Sequence, residues 1–418
     1  MKKHIALYAL STAINKGSVL LFFPFLALVF SLEDFGRWSL AIIVSNLLIP
    51  VVSLNASAGI LREGSTHQDT GFRLLHLFAW STVAIGCFFY VVAYMFSMDE
   101  WIVYAIAISS AEAVLLLALT FIRVQEKPVF YFLINVIKML ALFALVLYVK
   151  ESGLSLPTFL RYHFYIVLLI AIVVLLLQYR HYVYVDVDFK PIFIFCLVLI
   201  PHGVSQWVMS SSDRLIIDYI FGFDSVGIYS LAYNIALILM LLNSGLAMAL
   251  PTYVIKNYQN WKDRGLDNKF IGYYTYISIV LLVVVVFLYT LDAKYFNVLG
   301  YYGSEMLPLI VIIYFSIYIL GLYYFFANYL FYHRKAGTIS KITLYAAMLN
   351  VVLTALFVMW FGVIGAALGT VIAYVYYLIV IRHETLKVEK NLSINLLKPI
   401  GTFSIALGAI YGGASFVI

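Results

Sequence analysis

Charged side chains set inside apolar runs are the residues of this sequence best placed to do chemistry. Lys16 lies about 11 residues into the run that opens at residue 5, roughly 16 Å along a helix. Ser11, Thr12, Asn15 and Lys16 share one helical face, and Pro24 follows in the same run. Lys138 shares a face with Asn135 and Tyr131, and Glu112 lies in the preceding run. Glu112 reads equally as the ion-pair partner of Lys138 or as a protonatable group. A third group, His202, Ser205, Gln206, Met209, Ser210 and Asp213, recurs at helical spacing with one apolar member, and Arg214 follows it. Such a stripe must face protein or water, because hydrocarbon leaves polar groups unpaired. Lysines and arginines at these depths suit an anionic group such as a phosphate. The plainer readings are a snorkelling Lys16, a structural Lys138–Glu112 pair, and Asp213 with Arg214 as a helix anchor.

The elements that must position these groups follow from composition. Of 418 residues, 64% are hydrophobic and 11% are charged, where a soluble domain carries roughly 25% charged. With 34 Tyr and 32 Phe, the chain suits a bilayer rather than water. A spanning helix needs roughly 20 apolar residues. Spans are predicted at 5–30, 38–60, 72–97, 101–122, 129–149, 159–178, 191–212, 226–255, 271–291, 306–331, 340–361 and 364–381. A weaker, Gly- and Ser-rich thirteenth stretch covers 398–418. Of 26 Lys and Arg, nineteen fall on one side and five on the other, with Lys16 and Lys138 inside spans. That bias places the N-terminus in the cytoplasm. The start Met1-Lys2-Lys3-His4 imitates a signal peptide, but Asn15 and Lys16 interrupt its apolar run, so it is read as a retained helix. Cys87 and Cys196 sit in apolar runs and read as small hydrophobes.

The chain contains an internal repeat. Phe30-Ser31-Leu32-Glu33-Asp34-Phe35-Gly36-Arg37-Trp38-Ser39-Leu40-Ala41 returns 191 residues later as Phe221-Gly222-Phe223-Asp224-Ser225-Val226-Gly227-Ile228-Tyr229-Ser230-Leu231-Ala232, with five identities and no gap. The same offset pairs Asn15 with Gln206. Both copies fall between spans, so each glycine is read as a turn residue. The unit is six helices, which keeps the two copies in the same orientation. A cavity is expected where two such lobes meet. The lobes are drawn at 1–190 and 191–390, with a C-terminal segment at 391–418.

Ser212-Asp213-Arg214, Gly222 and Asp224-Ser225-Val226-Gly227-Ile228-Tyr229-Ser230-Leu231-Ala232-Tyr233 resemble the seventh-to-eighth helix signature of polysaccharide-export flippases. Asn350 and Trp360-Phe361-Gly362-Val363-Ile364-Gly365-Ala366-Ala367-Leu368-Gly369-Thr370 resemble the turn between helices eleven and twelve of the same superfamily. That superfamily is the multidrug/oligosaccharidyl-lipid/polysaccharide (MOP) exporters, and O-antigen (Wzx-type) flippases are the nearest kind. The resemblance implies an all-α integral membrane fold of the MATE/MOP type, with twelve or thirteen spans in two six-helix lobes about a central cavity. It implies an undecaprenyl-diphosphate oligosaccharide as substrate and the bacterial inner membrane as location. A polysaccharide polymerase and a chain-length regulator are the implied partners.

With that substrate in view, Lys16, Lys138 and Arg214 together would make a positive passage for a diphosphate. Asn15, His202 and Gln206 would add polar contacts, and Glu112 or Asp213 would serve proton or cation coupling. No other cofactor is expected. A cation-coupled multidrug carrier is the second reading, and it calls for an acidic cavity. A polytopic polymerase or ligase is the third, and it usually carries a large outer loop. No P-loop, H-E-x-x-H, C-x-x-C or G-x-S-x-G occurs. Asp186-Val187-Asp188 imitates a metal-binding D-x-D, but without a nucleotide-binding domain around it.

Overall fold

Apolar runs of this length satisfy their backbone polar groups in hydrocarbon by coiling. The computed structural model describes residues 14, 22–178, 187–296, 306–390, 392 and 394–415, and every element among them is helical. The order is α1 (22–29), α2 (Leu32–Val52), α3 (Ala56–Gly64), α4 (Gln68–Met95), α5 (Glu100–Val124), α6 (Pro128–Ser152), α7 (Leu156–Leu177) and α8 (Phe189–Phe221). There follow α9 (Phe223–Lys256), α10 (Tyr258–Asp263), α11 (Leu266–Leu291), α12 (Met306–Tyr332), α13 (Ala336–Val388) and α14 (Leu397–Ser415). Ten of the described helices are long and apolar enough to cross a membrane. One of the ten, α13, is two helices joined at Gly362, whose φ of 61° and ψ of −148° are non-helical. The thirteenth stretch is helical as α14.

The ends of these helices have local causes. Ser31 caps α2 by accepting a hydrogen bond from Asp34 N at 3.1 Å, with Glu33 and Asp34 in the first turn. Proline occupies the first turn of α6 and of α7, where no intrahelical N–H is lost. The span expected over 38–60 is interrupted. α2 ends at Val52, and Leu54 and Asn55 take left-handed φ values of 52° and 51° before α3 begins. Pro201 and Pro251 lie inside α8 and α9. Pro308 lies in α12, two residues after its first described residue.

Contacts divide the chain into two units, Val29–Trp207 and Val208–Ile418, the second including the described part of 19–28. The division falls within α8. In the first unit α5 is the central helix, packed on by α2, α3, α4 and α7. Ala105, Ala107, Ser109, Ala111, Ala113 and Ala118 let neighbouring backbones approach it closely. In the second unit α12 holds that place, packed on by α9 and α13. Its surface is aromatic instead, and its phenols find partners. Tyr314 donates to Ser278 O at 2.8 Å, and Tyr318 shares a 2.9 Å bond with Thr275 Oγ1. Against this helix, Tyr274 donates to Asn243 Oδ1 at 2.9 Å. One architecture is thus filled by small residues in one unit and by hydrogen-bonded aromatics in the other.

The repeat holds its burial pattern from Phe35 and Val226 onward, whereas Phe30 is buried and its counterpart Phe221 is exposed. Phe35 and Val226, Trp38 and Tyr229, Ser39 and Ser230, Leu40 and Leu231, and Ala41 and Ala232 are all buried. The expectation that Gly36 and Gly227 form turns is corrected. Both lie near the start of a helix, in α2 and α9, and both are buried. Gly36 and Gly227 leave room on a packed helical face. The residue that turns the chain is Gly222, with φ 81°.

The glycines of α13 do separate jobs. Gly362 supplies the positive φ that folds the helix back. A Cβ on Gly365 would stand 2.0 Å from Phe357 O, and one on Gly369 would stand 2.9 Å from Thr354 N. Asn350 reaches Thr370 at 3.3 Å, and Thr343 reaches Tyr377 at 2.9 Å, so the two halves run antiparallel. Gly365→Ala is expected to destabilise the chain by about 1–3 kcal/mol, because backbone rather than a movable side chain opposes the new methyl. Thermal unfolding in detergent measures this. An unchanged midpoint would mean that the hairpin opens freely at this point.

Candidate functional site

Two of the charged groups singled out in the sequence lie on described spans, one in each unit. In the first, Glu112 projects from α5 and Lys138 from α6. Lys138 Nζ stands 3.0 Å from each carboxylate oxygen of Glu112. The side chains are 12% and 21% exposed, so the pair is largely withdrawn from solvent. His163 on α7 is buried within electrostatic reach of both charges. Asn135, one turn before Lys138, is buried and donates to Tyr131 O at 2.8 Å. A lysine held evenly by both oxygens of a carboxylate carries no net charge as a unit. Opening the pair would expose a cation to an arriving phosphate, or a carboxylate to a proton.

In the second unit, Asp213 and Arg214 end the polar stripe of α8, and both are buried. Asp213 Oδ2 accepts from Tyr229 OH of α9 at 2.5 Å, and its Oδ1 accepts from the Arg214 backbone N–H at 2.9 Å. The Arg214 guanidinium is 4.0 Å from Asp213 Oδ1 and stacks over the Tyr233 ring at 4.1 Å. Its Nε has no hydrogen-bond partner among the described residues. Tyr374 of α13 donates to Met209 O at 3.2 Å, which ties that helix to the same stretch of α8. An arginine on an aromatic face beside a carboxylate is neutralised without being saturated. It retains donors for a further anion.

The rest of the stripe is less open than its spacing implied. Ser205 turns its hydroxyl back to Pro201 O at 2.8 Å, and Met209 is buried. Ser212, beside the stripe, turns back to Val208 O at 2.6 Å. Gln206 is exposed on α8. His202 lies in α8, but its side chain is outside the described part, and Lys16 and Asn15 lie outside the described residues altogether. Asp186 does too. Asp188 Oδ1 accepts from Lys190 N at 3.2 Å at the start of α8, a capping contact.

Sequence reasoning offered Tyr229 and Tyr233 only as residues of the repeat and the helical signature, and it missed Tyr374; the three complete the group around Asp213. It also missed a cluster outside the spans. Glu389, just past α13, accepts from Lys262 Nζ at 2.5 Å and from Tyr258 OH, with His333 Nε2 at 2.8 Å. Burial pushes the Glu389 carboxyl above its ordinary value. This cluster clamps α10 and the ends of α12 and α13 together.

Solved structures give the fold its comparison. The inward closed conformation of the lipid II flippase MurJ matches with a TM-score of 0.70 and 14% identity, covering 98% of each chain. An inward-facing multidrug resistance MATE family transporter of the MOP superfamily matches at 0.62 and 14%, covering 92% of this chain and 96% of that one. Its outward-facing counterpart matches at 0.61 and 13%, covering 94% and 97%. No protein-family model matches the chain, and no curated protein matches it. The chain therefore has the fold that these solved structures share.

Proposed function

We propose that this chain flips a lipid-linked oligosaccharide across a membrane by alternating access. The observation that carries the reading is the fold match to a lipid II flippase over 98% of both chains, at a TM-score of 0.70 against 0.62 and 0.61 for the two MATE structures named above. The resemblance of residues 212–233 and 350–370 to polysaccharide-export flippases narrows the cargo to an undecaprenyl-diphosphate oligosaccharide, such as an O-antigen repeat unit. The lipid tail stays in the bilayer while the head group passes through, and one six-helix half rocks against the other. The N-terminus is cytoplasmic and the membrane is the bacterial inner membrane. A polysaccharide polymerase and a chain-length regulator then act on the flipped product.

In this reading Lys16, Asn15, Lys138, Arg214, His202 and Gln206 contact the head group, and Glu112 or Asp213 couples a proton or cation. Both Lys138 and Arg214 stand beside a carboxylate, so each meets the diphosphate by partner exchange rather than as a standing charge. That exchange favours release as well as capture.

Deletion of the chain followed by lipid analysis tests the reading. Accumulation of an undecaprenyl-diphosphate oligosaccharide on the cytoplasmic side is expected. Unchanged lipid intermediates with altered drug tolerance would assign the chain to efflux instead. Lys16→Ala is expected to lower surface polysaccharide about tenfold at normal membrane abundance, the effect of losing roughly 1.4 kcal/mol of head-group binding. Undiminished polysaccharide would remove Lys16 from the mechanism.

A further inference from the structure

The first unit contains a groove that the flipping reading does not use. It runs between α4, α5 and α7 and has a volume of about 570 Å³. Its floor forms where Gly86 of α4 meets Ser110 of α5. A Cβ on Gly86 would stand 2.2 Å from Ser110 Oγ, so only glycine allows this approach. Ala107, Val83 and Leu168 make the walls apolar. Phe88, Val91 and Leu169 on the same two flanking helices, α4 and α7, are exposed, as side chains facing hydrocarbon are.

One end of the groove is different. Arg161, in the second turn of α7, lines it together with Tyr104, Tyr90 and Tyr165. Arg161 Nε donates to Tyr104 OH at 3.0 Å, which fixes the guanidinium plane. Its terminal nitrogens have no protein hydrogen-bond partner among the described residues. From Tyr104 to Val114 the lining of α5 extends about 15 Å at ~1.5 Å per residue. Half of a bilayer's hydrocarbon core is likewise about 15 Å. The basic end lies near the α4–α5 connection, so the groove spans one leaflet with its cation at the headgroup level. Under the orientation proposed above, that leaflet is the outer one.

We infer that this groove binds one anionic phospholipid, its phosphate on the Arg161 guanidinium and one acyl chain along the wall formed by Ala107 and Leu168. A guanidinium with two free nitrogens matches two phosphate oxygens. The apolar trough beneath it matches an aliphatic chain and offers nothing to a sugar.

The groove carries its own reporter. Cys87 lines it and is exposed, whereas Cys196 is buried. In a Cys196→Ala background, alkylation of Cys87 by N-ethylmaleimide can be timed in nanodiscs of phosphatidylglycerol and of phosphatidylcholine. Labelling is expected to be about fivefold slower in phosphatidylglycerol, the effect of one basic residue meeting an anionic lipid. Arg161→Gln is expected to remove the difference, and Arg161→Lys to keep part of it. Equal rates in the two lipids would overturn the proposal, as would protection that survives Arg161→Gln at unchanged thermal stability. Protection by undecaprenyl phosphate doped into phosphatidylcholine, without any from phosphatidylglycerol, would overturn it in favour of the carrier lipid. None of these arms measures transport, so they stand or fall apart from the flipping assay.

Discussion

Lys138→Leu is expected to lower the unfolding midpoint of the purified protein, and the double variant Lys138→Leu/Glu112→Leu to recover most of the loss. The single change leaves the Glu112 carboxylate without the cation that stands 3.0 Å from each of its oxygens. Removing one partner of a buried pair costs about 3–5 kcal/mol, while replacing both with apolar residues is often neutral. The side chains here are 12% and 21% exposed, so solvent relieves part of the cost of the stranded charge. The lower end of that range, about 3 kcal/mol, is therefore the expectation. Glu112→Leu alone should cost a similar amount, since it strands the lysine. A double-mutant cycle read by thermal unfolding in detergent gives the coupling. Additive losses would show that the two groups do not act on each other. The transport assay adds a second readout. If the pair opens for cargo, the apolar double variant folds normally and does not flip. If it flips at the normal rate, the pair is structural.

Much of this architecture was legible because hydrocarbon imposes one solution on an apolar run. The turn between 340–361 and 364–381 falls where Gly362 bends α13, and the apolar stretch at 398–418 is helical as α14. The break between α2 and α3 was not legible, because hydropathy runs unbroken from 38 to 60. Its local marks are Pro50 and Asn55, a residue that tolerates left-handed φ better than most. The glycines of the repeat were misplaced for a related reason. An invariant-looking Gly beside acidic residues suggests a turn, yet the same composition starts a capped helix, and a buried helical face also demands glycine. Lys138 and Glu112 were found because charges within spans are few. Their pairing was one of the two readings given for Glu112, but the even approach to both oxygens depends on how α5 and α6 rotate against each other. Tyr229 and Tyr233 stood in the repeat and the helical signature, but their contact with Asp213 and Arg214 was not legible there. Tyr374 was hidden by abundance, because neither spacing nor composition singles it out among 34 tyrosines. Arg161 and Tyr104 meet across 57 positions, a distance at which sequence alone says nothing about contact.

Asp213 is expected to give the sharpest separation between stability and function. Asp213→Leu removes the acceptor of Tyr229 and the counter-charge of Arg214, whose side chain is 5% exposed. The guanidinium would then lie buried with Tyr233 as its chief partner, at a cost of about 3–5 kcal/mol. A large loss of folded protein in the membrane is the expected result. Asp213→Asn loses the charge and keeps a single acceptor oxygen, which can serve Tyr229 OH or the Arg214 backbone N–H but not both. It should retain more stability than Asp213→Leu. Tyr229→Phe, which strands one carboxylate oxygen, should cost about 1–3 kcal/mol and so calibrates the hydrogen bond alone. If Asp213 carries the coupling proton, Asp213→Asn in proteoliposomes flips at a rate that no longer responds to an imposed pH gradient. Tyr229→Phe still responds, because it keeps the carboxylate. An Asp213→Leu protein as stable as the original would show that Arg214 does not depend on this carboxylate. An Asp213→Asn protein that still follows the gradient would move the coupling to Glu112, the carboxylate that faces Lys138 in the first unit. The two carboxylates are thus alternatives that one set of vesicles can tell apart.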